Sequence, residues 1–129
     1  MAYPADYRYT KEHEWISVEG STGTVGITDY AQSSLGDIVF VELPKVGDEL
    51  EAGKIFGSVE SVKAVSDLFS PVSGTVTAVN SELNDAPEKV NADANHTWML
   101  KLTLKDAAEL EKLLSAADYE KFIAEETGH

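Results

Sequence analysis

Short apolar runs rich in β-branched and aromatic residues, separated by Gly and Pro, fill the first two-thirds of the chain. Such runs between turn residues predict β-strands. The run at 37–43 is apolar almost throughout, so we expect it to be well buried. The predicted strands lie at 15–18, 24–28, 37–43, 50–53, 55–62, 65–70, 74–80 and 98–104.

A short helix is predicted between two of these strands. Asp29 can cap it, the helix runs through 30–35, and Gly36 can end it. The strands at 15–18 and 24–28 are separated by a Gly-Ser-Thr-Gly turn, which predicts a hairpin.

The C-terminal region, about 106–126, changes to helical patterning. Asp106 with Glu109 resembles a capping box, and leucines follow at helical spacing. A second helix is expected from Asp118 to about Glu126, with one apolar face. Many short strands followed by helices predict a mainly β fold, a β-sandwich or flattened barrel with a short internal helix and C-terminal helices. No linker-like segment divides residues 1–129, so we expect a single domain.

Charge and composition narrow the classes of partner and of site. The net charge is −13, which argues against nucleic acid and an anionic membrane surface and favours basic patches on proteins. The chain has no cysteine, which excludes disulfides, thiolate nucleophiles and cysteine-based metal sites. No apolar run approaches the roughly 18 residues that span a bilayer, and the N-terminus lacks the pattern of a signal peptide.

Enzyme signatures are missing from the sequence. The histidines at 13, 96 and 129 do not have metal-ligand spacing, and the serines do not stand in a G-x-S-x-G motif. An unaided hydrolase is therefore disfavoured, since no nucleophile–base pair can be assembled.

Lys63 is the most distinctive candidate. It falls between two predicted strands, so it should lie at or beside a hairpin turn with its side chain in solvent. Small neighbours leave it sterically open, and Glu60 and Asp67 bracket it with negative charge. These residues alone favour an ordinary exposed turn lysine and leave open a site of covalent modification.

Motifs across nearly the whole chain change this balance. In order they are KEHEW at 11–15, VGITDYAQ at 25–32, LGDIVFVELP at 35–44, ESVKA at 60–64, SPVSG at 70–74, VN at 90–91 and WM at 98–99. This series resembles the glycine cleavage system H protein family. One stretch departs from the pattern: the family usually has a Pro-Tyr-Gly-like loop where this chain has residues 92–97, which tolerate positive φ less well.

The resemblance implies a fold and a function. The fold is that of lipoyl and biotinyl domains, a barrel-sandwich hybrid, with lipoate in amide linkage on Lys63. The lipoyl arm accepts an aminomethyl group from the pyridoxal-phosphate glycine decarboxylase (P protein) and passes it to the aminomethyltransferase (T protein). Dihydrolipoamide dehydrogenase (L protein) reoxidises the arm, and lipoate-attaching enzymes install it. The chain would then be a carrier subunit rather than an enzyme.

Two acidic residues match family positions near the cleft that shelters the loaded arm. Glu14 and Asp67 are expected to face the amine of the adduct; the alternative is that both are ordinary surface acids.

Other functions remain open at this point. The chain could be an H-like relay that donates lipoate to other lipoyl domains, or an interaction module that carries no group. A biotin carrier is disfavoured, because Val62 and Ala64 stand where biotinyl domains usually have methionines. The expected location is the cytoplasm for a bacterial chain and the mitochondrial matrix for a mature eukaryotic one.

Overall fold

Two antiparallel β-sheets form the body of the protein in a computed structural model that describes residues 3–127. The larger sheet has the strand order β1-β2-β3-β9-β8-β5 and the smaller one the order β4-β6-β7. The strands of the larger sheet are β1 (Arg8–Tyr9), β2 (Glu14–Glu19), β3 (Thr22–Ile27), β5 (Glu49–Leu50), β8 (Gly74–Val79) and β9 (Leu100–Leu104). Those of the smaller sheet are β4 (Ile38–Glu42), β6 (Ile55–Ser61) and β7 (Val65–Phe69).

The core lies between the two sheets and is made from one face of each. Alternate side chains of β2, β3, β8 and β9 meet those of β4, β6 and β7, as the two-residue period of a strand requires. Its fully buried members include Ile16, Val25, Val41, Val59, Val76, Leu100 and Leu102. The arrangement is a sandwich rather than a closed barrel, which confirms the predicted fold class.

The prediction that 37–43 is well buried is wrong for three of the five residues of β4. In β4, Ile38 and Val41 point into the core, whereas Val39 is 50% and Phe40 49% exposed. β4 is an edge strand of the smaller sheet. Its pairing with β6 is irregular between Ile38 and Phe40, and the side chains of Val39 and Phe40 are both exposed there.

A short helix, α1 (Asp29–Leu35), links β3 to β4 as predicted, but its cap is Thr28 rather than Asp29. The Thr28 hydroxyl accepts a hydrogen bond from the backbone N–H of Ala31, 3.2 Å away. Gly36 ends the helix at φ 80°, a conformation that favours glycine.

The connection between β8 and β9 contains two single-turn helices, α2 (Glu82–Asp85) and α3 (Lys89–Ala92), and a 3₁₀ helix at Ala94–His96. Residues 92–97 form this loop without any positive φ. The loop therefore contains a 3₁₀ turn, a form that its residues adopt without positive φ.

The C-terminal region contains a 3₁₀ helix (Ala107–Lys112) and the longest helix, α4 (Ala116–Thr127). Asp106 caps the first one through the N–H of Ala108, but Glu109 does not complete a capping box. Its carboxylate instead accepts hydrogen bonds from the backbone N–H and hydroxyl of Ser73, at 2.8 and 2.9 Å. This contact holds the first C-terminal helix against the start of β8.

A second, mostly aromatic cluster joins α4 to the N-terminal segment and β2. Tyr9 and Tyr119 stack at 4.8 Å between ring centroids, and Tyr3 meets both rings edge-on. Tyr119, Phe122 and Ile123 face this cluster, as the helical spacing predicts. Among the described residues, no helix is long and apolar enough to cross a membrane.

Candidate functional site

Lys63 lies in the tight turn of the β6–β7 hairpin, as predicted. Glu60 pairs with Val65, and the backbone N–H of Ser61 donates to the carbonyl of Ala64 at 2.8 Å, which closes a four-residue turn. The Lys63 side chain is exposed. The hairpin therefore presents its primary amine to solvent at one end of the smaller sheet.

The Ser61 hydroxyl binds the backbone of this turn from inside. It accepts hydrogen bonds from the N–H groups of Lys63 (3.3 Å) and Ala64 (3.1 Å), and it lies 3.2 Å from the carbonyl of Ala64, to which it donates. Ser61 is only 6% exposed. In the sequence Ser61 is only a small neighbour of Lys63, because the hydrogen bonds that it makes form only when the turn closes.

The segment between α1 and β4 supports the turn from outside. The backbone N–H of Val62 donates to the carbonyl of Asp37 at 3.0 Å. A β-carbon built on Gly36 would lie 3.5 Å from Cε of Lys63, so the lysine stem passes close to this glycine.

The Asn91 side chain holds that segment in place. Its amide nitrogen donates to the carbonyl of Gly36 and to Oε1 of Gln32, each at 2.9 Å, and its oxygen accepts from the N–H of Ile38 at 2.9 Å. In the sequence Asn91 stands out only as part of the VN motif at 90–91. Its partners lie more than 50 residues away, so no local pattern could reveal them.

The exposed face of the smaller sheet leads from Lys63 to a surface cleft. Glu42, Ser58 and Asp67 stand side by side across β4, β6 and β7. They line a cleft of about 700 Å³ whose other walls include Leu43 and Ile55. Asp67 lies four residues from Lys63, or about 13 Å at ~3.3 Å per residue of strand.

Glu14 does not line this cleft. Its side chain is buried, with only 1% of the residue exposed, so the interpretation of Glu14 as an ordinary surface acid is wrong. Its carboxylate accepts hydrogen bonds from the Thr10 hydroxyl at 2.6 Å and from the backbone N–H of Phe69 at 3.2 Å. Burial raises the pKa of Glu14 to about 7, and the two hydrogen bonds oppose this shift in part.

His13, beside Glu14, belongs to a different contact. Its Nδ1 lies 2.8 Å from the Tyr119 hydroxyl, which lies 2.7 Å from the hydroxyl of Thr28, the α1 cap. Its Nε2 lies 3.4 Å from the Glu126 carboxylate, and its ring packs on Tyr30. Burial lowers the pKa of His13, and the nearby carboxylates of Glu126 and Glu12 oppose this shift in part. This histidine connects α4 to the start of α1 and has a structural role.

Within residues 3–127 no group of three or more His, Asp or Glu side chains could hold a metal ion. His96 contacts Asp93 at 2.9 Å on the surface, and His129 lies outside the described residues.

Comparison with known proteins agrees with this geometry. The family model described as "Glycine cleavage H-protein" matches residues 7–126. The chain is 73% identical to the glycine cleavage system H protein of Acidobacterium capsulatum and 70% identical to that of Koribacter versatilis, over the full length of each. The crystal structure of a glycine cleavage system H protein from Mycobacterium marinum superposes with a TM-score of 0.84 at 38% identity, covering 98% of this chain and 99% of that one.

These relatives are named for a role in glycine cleavage. The chain therefore belongs to the glycine cleavage H-protein family, the non-catalytic lipoyl carriers of the glycine cleavage system.

Proposed function

We propose that Lys63 is the residue to which lipoate is attached, and that residues 1–129 act as one carrier domain for it. The observation that supports the assignment is the position of Lys63 in the β6–β7 turn, where an exposed amine projects from a fixed backbone. Lys63 forms no ion pair with any other described residue, so its amine is available for acylation.

Attachment is an acyl transfer onto the lysine. The deprotonated Nζ of Lys63 attacks the carbonyl carbon of an activated lipoyl group, a C–N bond forms, and the bond from that carbon to its leaving group breaks. One proton leaves the nitrogen. The attaching enzyme supplies both the activated acyl donor and the base.

The lipoyl group, when bound, supplies a disulfide–dithiol pair, which a chain without cysteine cannot supply itself. Its partners are then the P protein, which loads the aminomethyl group of glycine, the T protein, which removes it, and the L protein, which restores the disulfide. The covalent tether raises the effective concentration of the carried group at each partner site. The relatives are bacterial, and we place the chain with these partners in the cytoplasm.

The cleft beyond the hairpin is the proposed resting place of the loaded arm. Asp67 is exposed on its wall at about the distance that an extended lysyl arm reaches along β7. We assign Asp67 a contact with the cationic amine of the adduct. Glu14 lies beside the same strand, where its carboxylate accepts from the N–H of Phe69, and we assign it to the same amine through the electrostatic field that it exerts along β7.

Intact mass tests the attachment site. After coexpression with a lipoate ligase, the wild-type chain should gain one lipoyl mass and Lys63→Arg should gain none. Lys54→Arg is the matched control, because Lys54 is another exposed lysine in a turn between strands. A lipoyl mass on Lys63→Arg would overturn the assignment.

Two further measurements test the carrier cycle and the cleft. With P protein, glycine and labelled bicarbonate, the lipoylated chain should support carboxyl exchange; a dedicated lipoate relay would support none. Asp67→Asn and Glu14→Gln should each shorten the lifetime of the loaded arm, measured by formaldehyde release. Glu19→Gln, an exposed acid at the far end of β2, serves as control. A lifetime equal to the control's would remove that residue from the cleft.

A further inference from the structure

The β6–β7 turn has no hydrophobic anchor. Val62 is 69% and Val65 68% exposed, and Lys63 and Ala64 between them are exposed too. A stretch of four consecutive exposed residues contributes no side chain to the core. Hydrogen bonds must therefore determine the conformation of the backbone that presents Lys63.

The Ser61 hydroxyl is the side chain best placed to do this. A serine hydroxyl has one donor and two acceptor positions. In this turn all three are used, by the carbonyl of Ala64 and by the N–H groups of Lys63 and Ala64. Each of these groups lies in the turn itself, so the hydroxyl bridges its two sides and contacts the backbone of the lysine directly.

The outer support acts on a different atom. The carbonyl of Asp37 binds the N–H of Val62, the residue before the lysine. Asn91 fixes the segment that carries this carbonyl. Without the Ser61 hydroxyl the turn would still be held at Val62, whereas the N–H groups of Lys63 and Ala64 would lose the acceptor that the side chain provides.

Building on the proposed lipoylation of Lys63, we propose that Ser61 is a positioning residue for that reaction. Its hydroxyl keeps the turn in one conformation, so that the attaching enzyme meets a lysine already aimed outward. In the acyl transfer described above, Nζ of Lys63 forms the new C–N bond and loses a proton, while the leaving group departs with the electrons of the bond to the acyl carbon. Ser61 takes no part in these bond changes.

The expected kinetic effect follows from the step at which the turn must become ordered. A loose turn must be ordered when the attaching enzyme binds, so the cost weakens binding of the carrier chain and leaves the chemical step unchanged. Loss of the hydroxyl should therefore raise KM for the carrier and change kcat little.

The test uses the full-length unmodified chain, a lipoate ligase, lipoate and ATP, with initial rates of lipoylation measured by intact mass. Ser61→Ala should raise KM about tenfold with kcat within about twofold of wild type, since the net effect of lost hydrogen bonds is of this order. Ser61→Thr keeps the hydroxyl and should restore most of the KM. Ser66→Ala, a serine on the same hairpin whose hydroxyl does not contact the turn, should behave as wild type.

Amide hydrogen exchange separates positioning from misfolding. In Ser61→Ala the amides of Lys63 and Ala64 should exchange faster, while Val59 and Leu68 in the flanking strands remain protected. The proposal is wrong if Ser61→Ala and Ser66→Ala have equal KM values. It is also wrong if the threonine variant is as slow as the alanine variant although its strands stay protected, or if the strand amides lose protection with the turn.

These outcomes differ from a failure of the proposed function. If the wild-type chain gains no lipoyl mass, or if Lys63→Arg still gains it, the attachment site is wrong. If Lys63 is lipoylated and Ser61→Ala has an unchanged KM, only the positioning role is lost.

Discussion

The carboxylate of Glu14 accepts a hydrogen bond from the backbone N–H of Phe69 at 3.2 Å, and this bond joins β2 of the larger sheet to β7 of the smaller one. The residue is almost completely buried, and its other oxygen binds the Thr10 hydroxyl. A carboxyl in such a position affects stability through its protonation state.

Stability should fall as the pH rises because of Glu14. Burial raises its pKa to about 7 from an ordinary value of 4.5, so between these values the folded chain holds the proton more tightly than the unfolded chain. The stabilisation is complete below about pH 4.5 and is lost as the pH rises through 7, by up to about 3 kcal/mol. Urea unfolding of Glu14→Gln at pH 5 and pH 8 should show a smaller drop than wild type. Equal drops in the two proteins would contradict the assignment; Glu19→Gln controls for net charge.

His13 should oppose this trend at lower pH. Burial lowers its pKa below the ordinary value of 6.5, so the unfolded chain binds the proton more tightly. The stabilisation that neutral His13 contributes is present above pH 6.5 and is lost as the pH falls through the lowered pKa. In a Glu14→Gln background, where the opposing group is removed, unfolding free energy should rise from pH 5 to pH 7.5. Substituting His13 as well should flatten that rise.

The backbone at His13 carries strain that a pair of variants can measure. His13 has φ 73°, the one positive value among the described non-glycine residues. His13→Gly and His13→Ala both remove the ring and its contact with Tyr119, but only glycine adopts this conformation freely. The glycine variant should be more stable than the alanine variant by about 1 kcal/mol in urea unfolding. Equal stability would show that the backbone relaxes when the ring is removed.

Gly57 is fixed by a neighbouring strand rather than by its dihedral angles. A β-carbon built there would lie 2.1 Å from the carbonyl oxygen of Glu42, so alanine must push β4 away from β6. Alanine normally stabilises a strand relative to glycine, so the sign of the effect is diagnostic. Gly57→Ala should destabilise by about 3 kcal/mol in urea unfolding. The control Gly20→Ala, with open space around it and φ 63°, should cost about 1 kcal/mol.

Asn91 should matter for the site although it lies outside the hairpin. Asn91→Ala removes the hydrogen bonds that its side chain makes to the N–H of Ile38 and the carbonyl of Gly36. We expect the free energy of unfolding to fall by about 2–3 kcal/mol. Amide exchange at Ile38 and Val62 should accelerate together. Asn84→Ala, at an exposed position in α2, is the matched control. If Val62 stays protected in Asn91→Ala, the two segments are not coupled.

The hairpin around Lys63 could be predicted from sequence because its information is local. Two β-prone runs flank Lys63 and Ala64, and this local pattern predicts a turn. The cap of α1 shows the limit of the same reasoning. Thr28 and Asp29 are adjacent and both are good caps, so residue type does not choose between them; in the structure Thr28 has the extended backbone of a cap and Asp29 is the first helical residue.

What the sequence could not show depends on contacts between distant segments. A run as apolar as 37–43 predicts burial, and only the sheet order reveals that β4 is an edge strand with Phe40 outside. An acidic residue predicts a surface position, yet Glu14 is buried. Its carboxylate accepts a hydrogen bond from a backbone N–H that lies 55 residues away in the sequence. The prediction that Lys63 is a modification site rests on the order of motifs along the chain, since the residues next to it favour an ordinary turn lysine.

The exposed turn of the hairpin also makes the modification of Lys63 independent of the stability of the fold. Because Lys63 contributes neither an ion pair among the described residues nor a core contact, converting its amine to a neutral amide would leave the folding energy of the domain almost untouched. The unmodified and the acylated chain would then share one backbone scaffold. Acylation of Lys63 would therefore require no refolding of the chain.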